Sequence, residues 1–394
     1  MRTDFKGKYL PLCTASYLKK NLKKNLHIVT LNTPYPADYG GMIDCFHRIR
    51  SLYNIGIGIR LHVFEYGRSQ SRELESFCNS VNYYPRNTSF HKHLSFLPYS
   101  VFSRNSGELL ENLLKYDHPV LFDGIQTTLY LDHPALSERK KAVRIHNIEH
   151  NYYHTLVQFE KKFIKKLYYK IESVKLKRYE NILEKADIIF PISDPDQEHF
   201  NQKFHNSVLI PPFHPFDSTE CSTGTGDYIL YHGDLSVNEN VAVSEFLISN
   251  VFSKIPFRCL IAGKNPPEKL SARIARHNNI NLIPNPDNEI MTNLIRDAHI
   301  NILPAMAANG FKLKLLLSLF SGRHCLVNSA TVKGSGLDTL CHVADSAEEM
   351  IRMIHSLIAL PFSEEMISER ERILSKNNNN INNAEKLMKS IFSD

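Results

Sequence analysis

The chain has 394 residues, 42% hydrophobic and 22% charged, which is enough for two cores of ordinary size and excludes a wholly disordered polymer. Its formal net charge of +6 favours anionic partners, yet it falls short of a nucleic-acid binder's extreme, and no helix-turn-helix, zinc-finger or RNP pattern accompanies it. Seven cysteines, odd in number and never spaced C-x-x-C, read as reduced thiols and imply no disulfide framework.

Residues 1–25 are basic without an apolar segment, and are expected to be a poorly ordered lead-in rather than a secretory signal, with a basic membrane-surface tag as the other reading. No run of about 18 apolar residues follows, so a cytoplasmic protein is expected. From Leu26, "LHIVTL" predicts a strand, "NTPYPADYGG" a loop, and "MIDCFHRIRSLYNIG" a helix through Ile43, Phe46 and Ile49. "IRLHVFEYG", "HPVLFDG", "KKAVRIHN" and "ADIIFPIS" predict the next strands. Such alternation over residues 26–212 predicts a parallel sheet covered on both faces.

Residues 213–226 collect Pro, Ser, Thr and Gly without periodicity and predict a linker. Alternation restarts over 227–375: "DYILYHGDL", "FRCLIAG", "INLIP", "AHINILP", "RHCLVN" and "CHVAD" predict strands. "NENVAVSEFLISNVF", "DNEIMTNLIRD" and "KLKLLLSLFSG" predict helices between them. Residues 376–394 give an Asn-rich patch and a terminal helix through Ile381, Ala384, Leu387, Met388 and Ile391, expected to dock back on the body.

Two doubly wound halves direct the carboxyl ends of their strands at a shared cleft, so the loops after strands are where function is expected. Gly40-Gly41, at the mouth of the first helix, offer free N–H groups at a positive helix end, or form an ordinary turn. Gly233, after "DYILYH", is placed to do the same or forms a simple tight turn. Lys264, right after a strand, suits a phosphate, or is a solvated loop lysine. The helix of Leu313, Leu316, Leu317 and Phe320 is predicted to open near Gly310 and stop at Gly322. Lys312 and Lys314 then fall in its first turn, where the helix dipole disfavours cations, so either a diphosphate bound by the helix N-terminus and one of the lysines offsets them, or they are two solvated lysines that tolerate a small penalty.

His146, Glu149 and His150 spell H-x-x-E-H, the signature of one zinc-peptidase class, which needs a helix facing both histidines one way and a third ligand. "KAVRI" instead reads as a strand that leaves His146 at its end, and no downstream acid is marked out. The expectation is a loop delivering His146 to the cleft, with Glu149 or Asn147 fixing its ring and no metal; a structural histidine is the alternative. Residues 160–185 interleave Lys and Arg with Phe163, Ile164, Leu167, Tyr168, Ile171, Val174 and Leu176, which predicts either a basic helix on an anionic membrane or a solvated face of Glu-Lys pairs.

This order of strand-loop-GG, HN-x-E, G-x-L-S-x-N-x-N and G-x-K-x-K before a helix ending in Gly resembles the GT-B glycosyltransferases of the retaining, glycogen-synthase-like superfamily, over about residues 26–394. Uncharacterised glycosyltransferases of Bacteroidetes-type bacteria are similar in reading "PYPADYGG", "HNIEH" and "KLKLL...GRHC". The resemblance implies an α/β GT-B fold of two Rossmann-like domains, acceptor in the first and nucleotide-sugar donor in the second. It implies transfer of a sugar, a hexose, to a glycan or polyprenyl- or lipid-linked acceptor in bacterial surface polysaccharide or glycoconjugate synthesis. It further implies retention of configuration and no metal or cofactor, with the donor base open; the membrane reading of residues 160–185 would place the cytoplasmic protein peripherally on the inner face of the cytoplasmic membrane.

By position the resemblance puts Gly40, Gly41 and Gly233 near the donor phosphates. His146 falls at the reacting sugar, and Lys264 with Lys312 or Lys314 at the departing diphosphate. The family's two Glu, eight positions apart, are here Asn309, next to Gly310, and Leu317. An amide still bonds sugar hydroxyls, but a leucine holds no ribose. The usual Arg after the Gly233 loop is also missing. A catalytically silent nucleotide-sugar binder and a sugar-nucleotide epimerase on the same fold are the competing readings.

Overall fold

The computed structural model describes residues 24–308 and 310–393. Residues 1–23 of the expected lead-in lie outside the described residues, whereas Lys24 and Asn25 already open the first strand. In the first half β1 (Lys24–Thr30), β2 (Ile57–Glu65), β3 (Ser80–Pro85), β4 (Val120–Asp123), β5 (Lys141–Ile145) and β6 (Ile188–Pro191) form a sheet in the order β3-β2-β1-β4-β5-β6. In the second, β7 (Ile229–His232), β8 (Cys259–Gly263), β9 (Ile280–Pro284), β10 (Ile300–Ile302), β11 (His324–Val327) and β12 (His342–Val343) run β12-β11-β10-β7-β8-β9. Counted from its own first strand, each sheet has the doubly wound order 3-2-1-4-5-6. All of these pairings are parallel.

The central strands read as apolar runs because both of their faces are covered; β5 and β8 are buried at every position. Alternation of side chains divides each core in two. Ile28 packs with Phe46, Ile49 and Leu52 on one face, and Val29 with Phe122, Val143 and Ile189 on the other. In the second half Ile229, Tyr231 and Ile261 face one way, Leu230, Leu260 and Ala262 the other.

The helices that carry the site follow strands: α1 (Gly40–Asn54) after β1, α2 (Glu149–Phe159) after β5 with α3 (Phe163–Tyr179) packed on it, α4 (Asn238–Asn250) after β7, and α5 (Leu313–Ser321) after β10. Within the predicted linker the chain changes cores, since Phe213 belongs to the first and Phe216 to the second. The last helix, α6 (Asn380–Phe392), is capped by Asn379 and returns to the first half. Its Ala384, Leu387, Met388 and Ile391 pack with Phe46, Ile49 and Leu52, while Ile381 of the predicted stripe stays 38% exposed. Burying a large apolar side chain contributes about 1.5–3 kcal/mol over leaving it exposed, so this helix is a firm tie between the two ends of the chain.

Candidate active site

Parallel strands aim both sets of carboxyl ends at one crevice, and a cleft of ≈ 650 Å³ lies there between the halves. The first half contributes the loop Tyr35–Tyr39, the tip of α1, His146, Asn147 and Tyr152; the second contributes Gly233, Glu239, Asn240, Lys264, Phe311, Lys312, Lys314 and Leu317. At the tip of α1, Tyr39 makes no side-chain cap and a Cβ on Gly40 would stand in open space. The first N–H groups of that helix therefore meet the cleft at its positive end.

His146 stands one residue beyond β5 and Glu149 opens α2, so the histidine is on a loop as its strand pattern predicts. The carboxylate on its ring is Asp123 at the end of β4, not Glu149: Nε2 donates to Oδ1 at 2.9 Å. Adjacent parallel strands bring these two ends together. Because a carboxylate only accepts, this bond sets the tautomer of the neutral ring, in which Nδ1 is the acceptor, 3.9 Å from Asp44 and beyond hydrogen-bond reach of it. Glu149 bonds Gln126 instead, and its burial pushes the carboxyl up to about 6.

Beneath the histidine lies a buried ionic network. Arg48 donates to Asp44 at 2.6 Å and stands 2.8 Å from Asp123; Arg144 reaches Asp44 at 2.8 Å and also donates to the Ile210 carbonyl. The Phe213 amide donates to Asp44 at 2.9 Å, which ties the interdomain crossing to the same carboxylate. Burial alone would raise both acids, but Arg144 and Arg48 hold Asp44 down, and Arg48 and His146 hold Asp123 well below the usual carboxylate range. Sequence reasoning missed this network, although Asp44 and Arg48 at i, i+4 in an apolar helix, and Arg144 inside an apolar strand, are charges that must be buried in pairs.

The second half supplies the cations. A Cβ on Gly263 would strike the carbonyl oxygen of Gly233, so the loops after β7 and β8 are in backbone contact and Lys264 emerges beside them. Lys264 is not a free cation: it meets Asp38 at 2.7 Å across the cleft, and Asp38 also takes Arg68 at 2.7 Å. Helix α5 opens three residues later than predicted, at Leu313, with Lys312 as its cap residue and no side-chain cap bond. Gly310 lies before it at φ 58, packed so closely on Asn147 and the His146 carbonyl that a Cβ there would collide. Asn309 lies outside the described residues.

Among the described residues Lys312 finds one carboxylate, Glu239 at 3.8 Å. Lys314 lies 4.9 Å over the Tyr231 ring and 3.4 Å from Asn240 Oδ1. Burial lowers both ammonium groups, Lys314 to about 8, and Glu239 offsets this only in part. Two desolvated cations thus share one distant carboxylate beside an uncapped helix N-terminus, an arrangement that an anion would stabilise. Leu317 lines the same cleft and brings no polar group.

The H-x-x-E-H residues diverge: His146 goes to Asp123, while His150 Nδ1 meets Glu180 at 3.1 Å, which also holds His199 and Lys203. Among the described residues, Asp44, Asp123 and His146 do bring ligand-type atoms within 4.8 Å of one another. Both carboxylates already carry guanidinium partners, however, so a divalent ion there would sit against buried Arg48 and Arg144, and the donor set does not fit a metal.

No family model matches the chain. An "Uncharacterized 44.6 kDa protein in cps region" of Klebsiella pneumoniae is 28% identical over 332 residues, covering 78% of this chain and 84% of its own. Among solved structures, Anabaena Alr3699/HepE in complex with UDP and glucose matches at TM-score 0.63 and 12% identity, over 94% of this chain and 99% of that one. A trehalose-6-phosphate structure from E. coli bound with UDP-2-fluoro glucose matches at TM-score 0.65 and 9% identity, over 93% and 99%. TarM matches at TM-score 0.64 and 11% identity, over 94% and 99%. The fold of this chain is GT-B: two six-stranded parallel sheets flanked by helices, as in these structures.

Proposed function

We propose that this chain is a glycosyltransferase that moves a hexose from a nucleotide-sugar donor to a glycan or lipid-linked acceptor in surface polysaccharide synthesis. The observation that carries this reading is the pair Lys312 and Lys314, under-compensated and desolvated at the start of α5, facing His146 across the cleft. The UDP and UDP-sugar ligands of similarly folded structures, and the cps region of the 28% identical relative, support the same direction.

In this reading the diphosphate lies on the α5 N-terminus and its lysines, where fixed positive charge opposes the charge that grows as the anomeric C–O bond breaks. An oxocarbenium-like sugar then forms between the lysines and the first half. His146, its tautomer set by Asp123, accepts a hydrogen bond through Nδ1 from a donor or acceptor hydroxyl. The helix dipole and the lysines do the work a metal would do elsewhere, so the reaction is metal-independent, and retention follows the superfamily that the sequence resembles. Leu317 favours a second reading, a nucleotide-sugar binder without turnover, because it leaves the ribose without a side-chain partner at that point.

Incubation with UDP-, GDP-, ADP- and CMP-linked sugars in the presence of a chelator separates these readings and the epimerase reading. Slow release of nucleotide from one donor is the expected result, thermal stabilisation without consumption would identify a binder, and interconversion of sugars an epimerase.

A further inference from the structure

The outer face of α3 is unlike the rest of the surface. Phe163 is 78% exposed and Ile164 84%, and Leu167, Ile171 and Val174 are about half exposed. Phe163, Leu167, Ile171 and Val174 follow helical spacing and form one stripe, flanked by the exposed Lys166, Lys170 and Lys177. A second segment joins it: Leu94 is 78% exposed and Phe96 fully so. That segment is pinned to α3, since Lys175 donates to the His93 carbonyl at 2.9 Å, and the Tyr99 and Ser100 amides donate to Glu172 at 3.0 and 2.8 Å.

Three of the four acids between residues 160 and 185 point away, and the exposed fourth, Glu184, lies beyond the end of α3. Glu172 is buried under those two amides, Glu160 accepts from the Lys162 amide and lies beneath Lys165, and Glu180 is enclosed by His150, His199 and Lys203. Glu-Lys pairing along a solvated face is therefore not what the helix does. Its exposed side combines large apolar groups with lysines, and a cluster of this size is a contact surface rather than ordinary scatter.

We infer that α3 and the Leu94–Phe96 segment seat the protein on an anionic lipid bilayer, with the helix in the interfacial plane. A protein partner has no need of a cation rim around the apolar stripe, whereas an anionic headgroup layer over acyl chains matches both parts. No helix among the described residues is long and apolar enough to cross a membrane, so the contact is peripheral. Helix α2, which lends Tyr152 to the cleft, packs directly on α3 through Ser173 Oγ and the His150 carbonyl at 2.7 Å. The seated face is thus one helix from the first-half wall of the cleft, where a lipid-anchored acceptor would arrive. Only that last step rests on the transferase reading; the seating does not.

Flotation of the full chain with vesicles tests the seating without any turnover. Binding is expected to vesicles containing phosphatidylglycerol and not to pure phosphatidylcholine, and to fall in high salt. Replacing Lys166, Lys170 and Lys177 together with Gln is expected to weaken partitioning by about 100-fold, about fivefold per lysine. Phe163→Ser with Phe96→Ser is expected to weaken it by at least about tenfold. Both variants should keep the wild-type melting temperature and nucleotide binding. Equal binding to neutral vesicles, no binding at all, or a dimer in solution that these substitutions dissolve would overturn the inference.

Discussion

His146→Ala is expected to slow sugar transfer by about 10²–10⁴-fold while leaving nucleotide affinity nearly unchanged. The ring lines the cleft opposite the lysines and has its tautomer set by a buried carboxylate, so its removal takes away a positioned acceptor but no diphosphate contact. Steady-state kinetics paired with calorimetric titration of the free nucleotide checks both halves of this statement. Loss of kcat with an unaltered Kd is the signature of a group that acts at the reacting sugar. A variant retaining more than about half of the activity would return His146 to a structural role.

The largest effect on folding is expected at Asp44. Asp44→Ala leaves Arg48 without its 2.6 Å partner and Arg144 without its 2.8 Å partner, both guanidinium groups being fully buried. Removal of one member of such a buried network costs about 3–5 kcal/mol, because the remaining charges stay desolvated. Urea unfolding followed by circular dichroism measures the difference, and a loss under about 1 kcal/mol would contradict the burial of the network. The pH dependence carries the same sign: Asp44 and Asp123 have depressed folded-state values, so their stabilisation is complete above the unfolded value near about 4 and is lost on acidification below it.

The two sheets were legible in the sequence wherever strands are covered on both faces. "LHIVTL", "KAVRI" and "CLIAG" are mostly apolar and almost wholly buried because helices lie above and below them, and their short length between turn residues marks them as strands. β3 escaped because it is an edge strand: "SVNYYP" mixes polar and aromatic residues, is mostly half-buried and ends in Pro, which an edge tolerates. The late start of α5 escaped for a related reason. Its stripe marks where the helix is buried, whereas residues 310–312 approach the first half and take their shape from Asn147 and His146.

In the site, His146, Lys312 and Lys314 could be picked out by the rule that function follows strand ends. The carboxylates of the site could not, because they arrive from distant segments: Asp123 from the neighbouring strand to His146, Glu239 from α4 to Lys312, and Asp38 from the opposite wall to Lys264, 226 positions away. Glu149, three residues from His146, was the nearer carboxylate in sequence, but the turn into α2 directs it to Gln126. Lys264 shows the same limit, since a cation suited to phosphate can be occupied by a carboxylate that only the tertiary fold brings within reach.

The proposed function requires the α5 lysines to hold a diphosphate. Calorimetric titration of UDP, GDP and ADP into the wild-type chain and into Lys312→Ala/Lys314→Ala tests this directly. At least one nucleotide is expected to bind the wild type, with affinity that weakens as pH rises through about 8, where Lys314 loses its proton. The double substitution is expected to lower that affinity by at least about tenfold per lysine. Absence of binding by any nucleoside diphosphate, or unchanged affinity in the double variant, would contradict the proposed function.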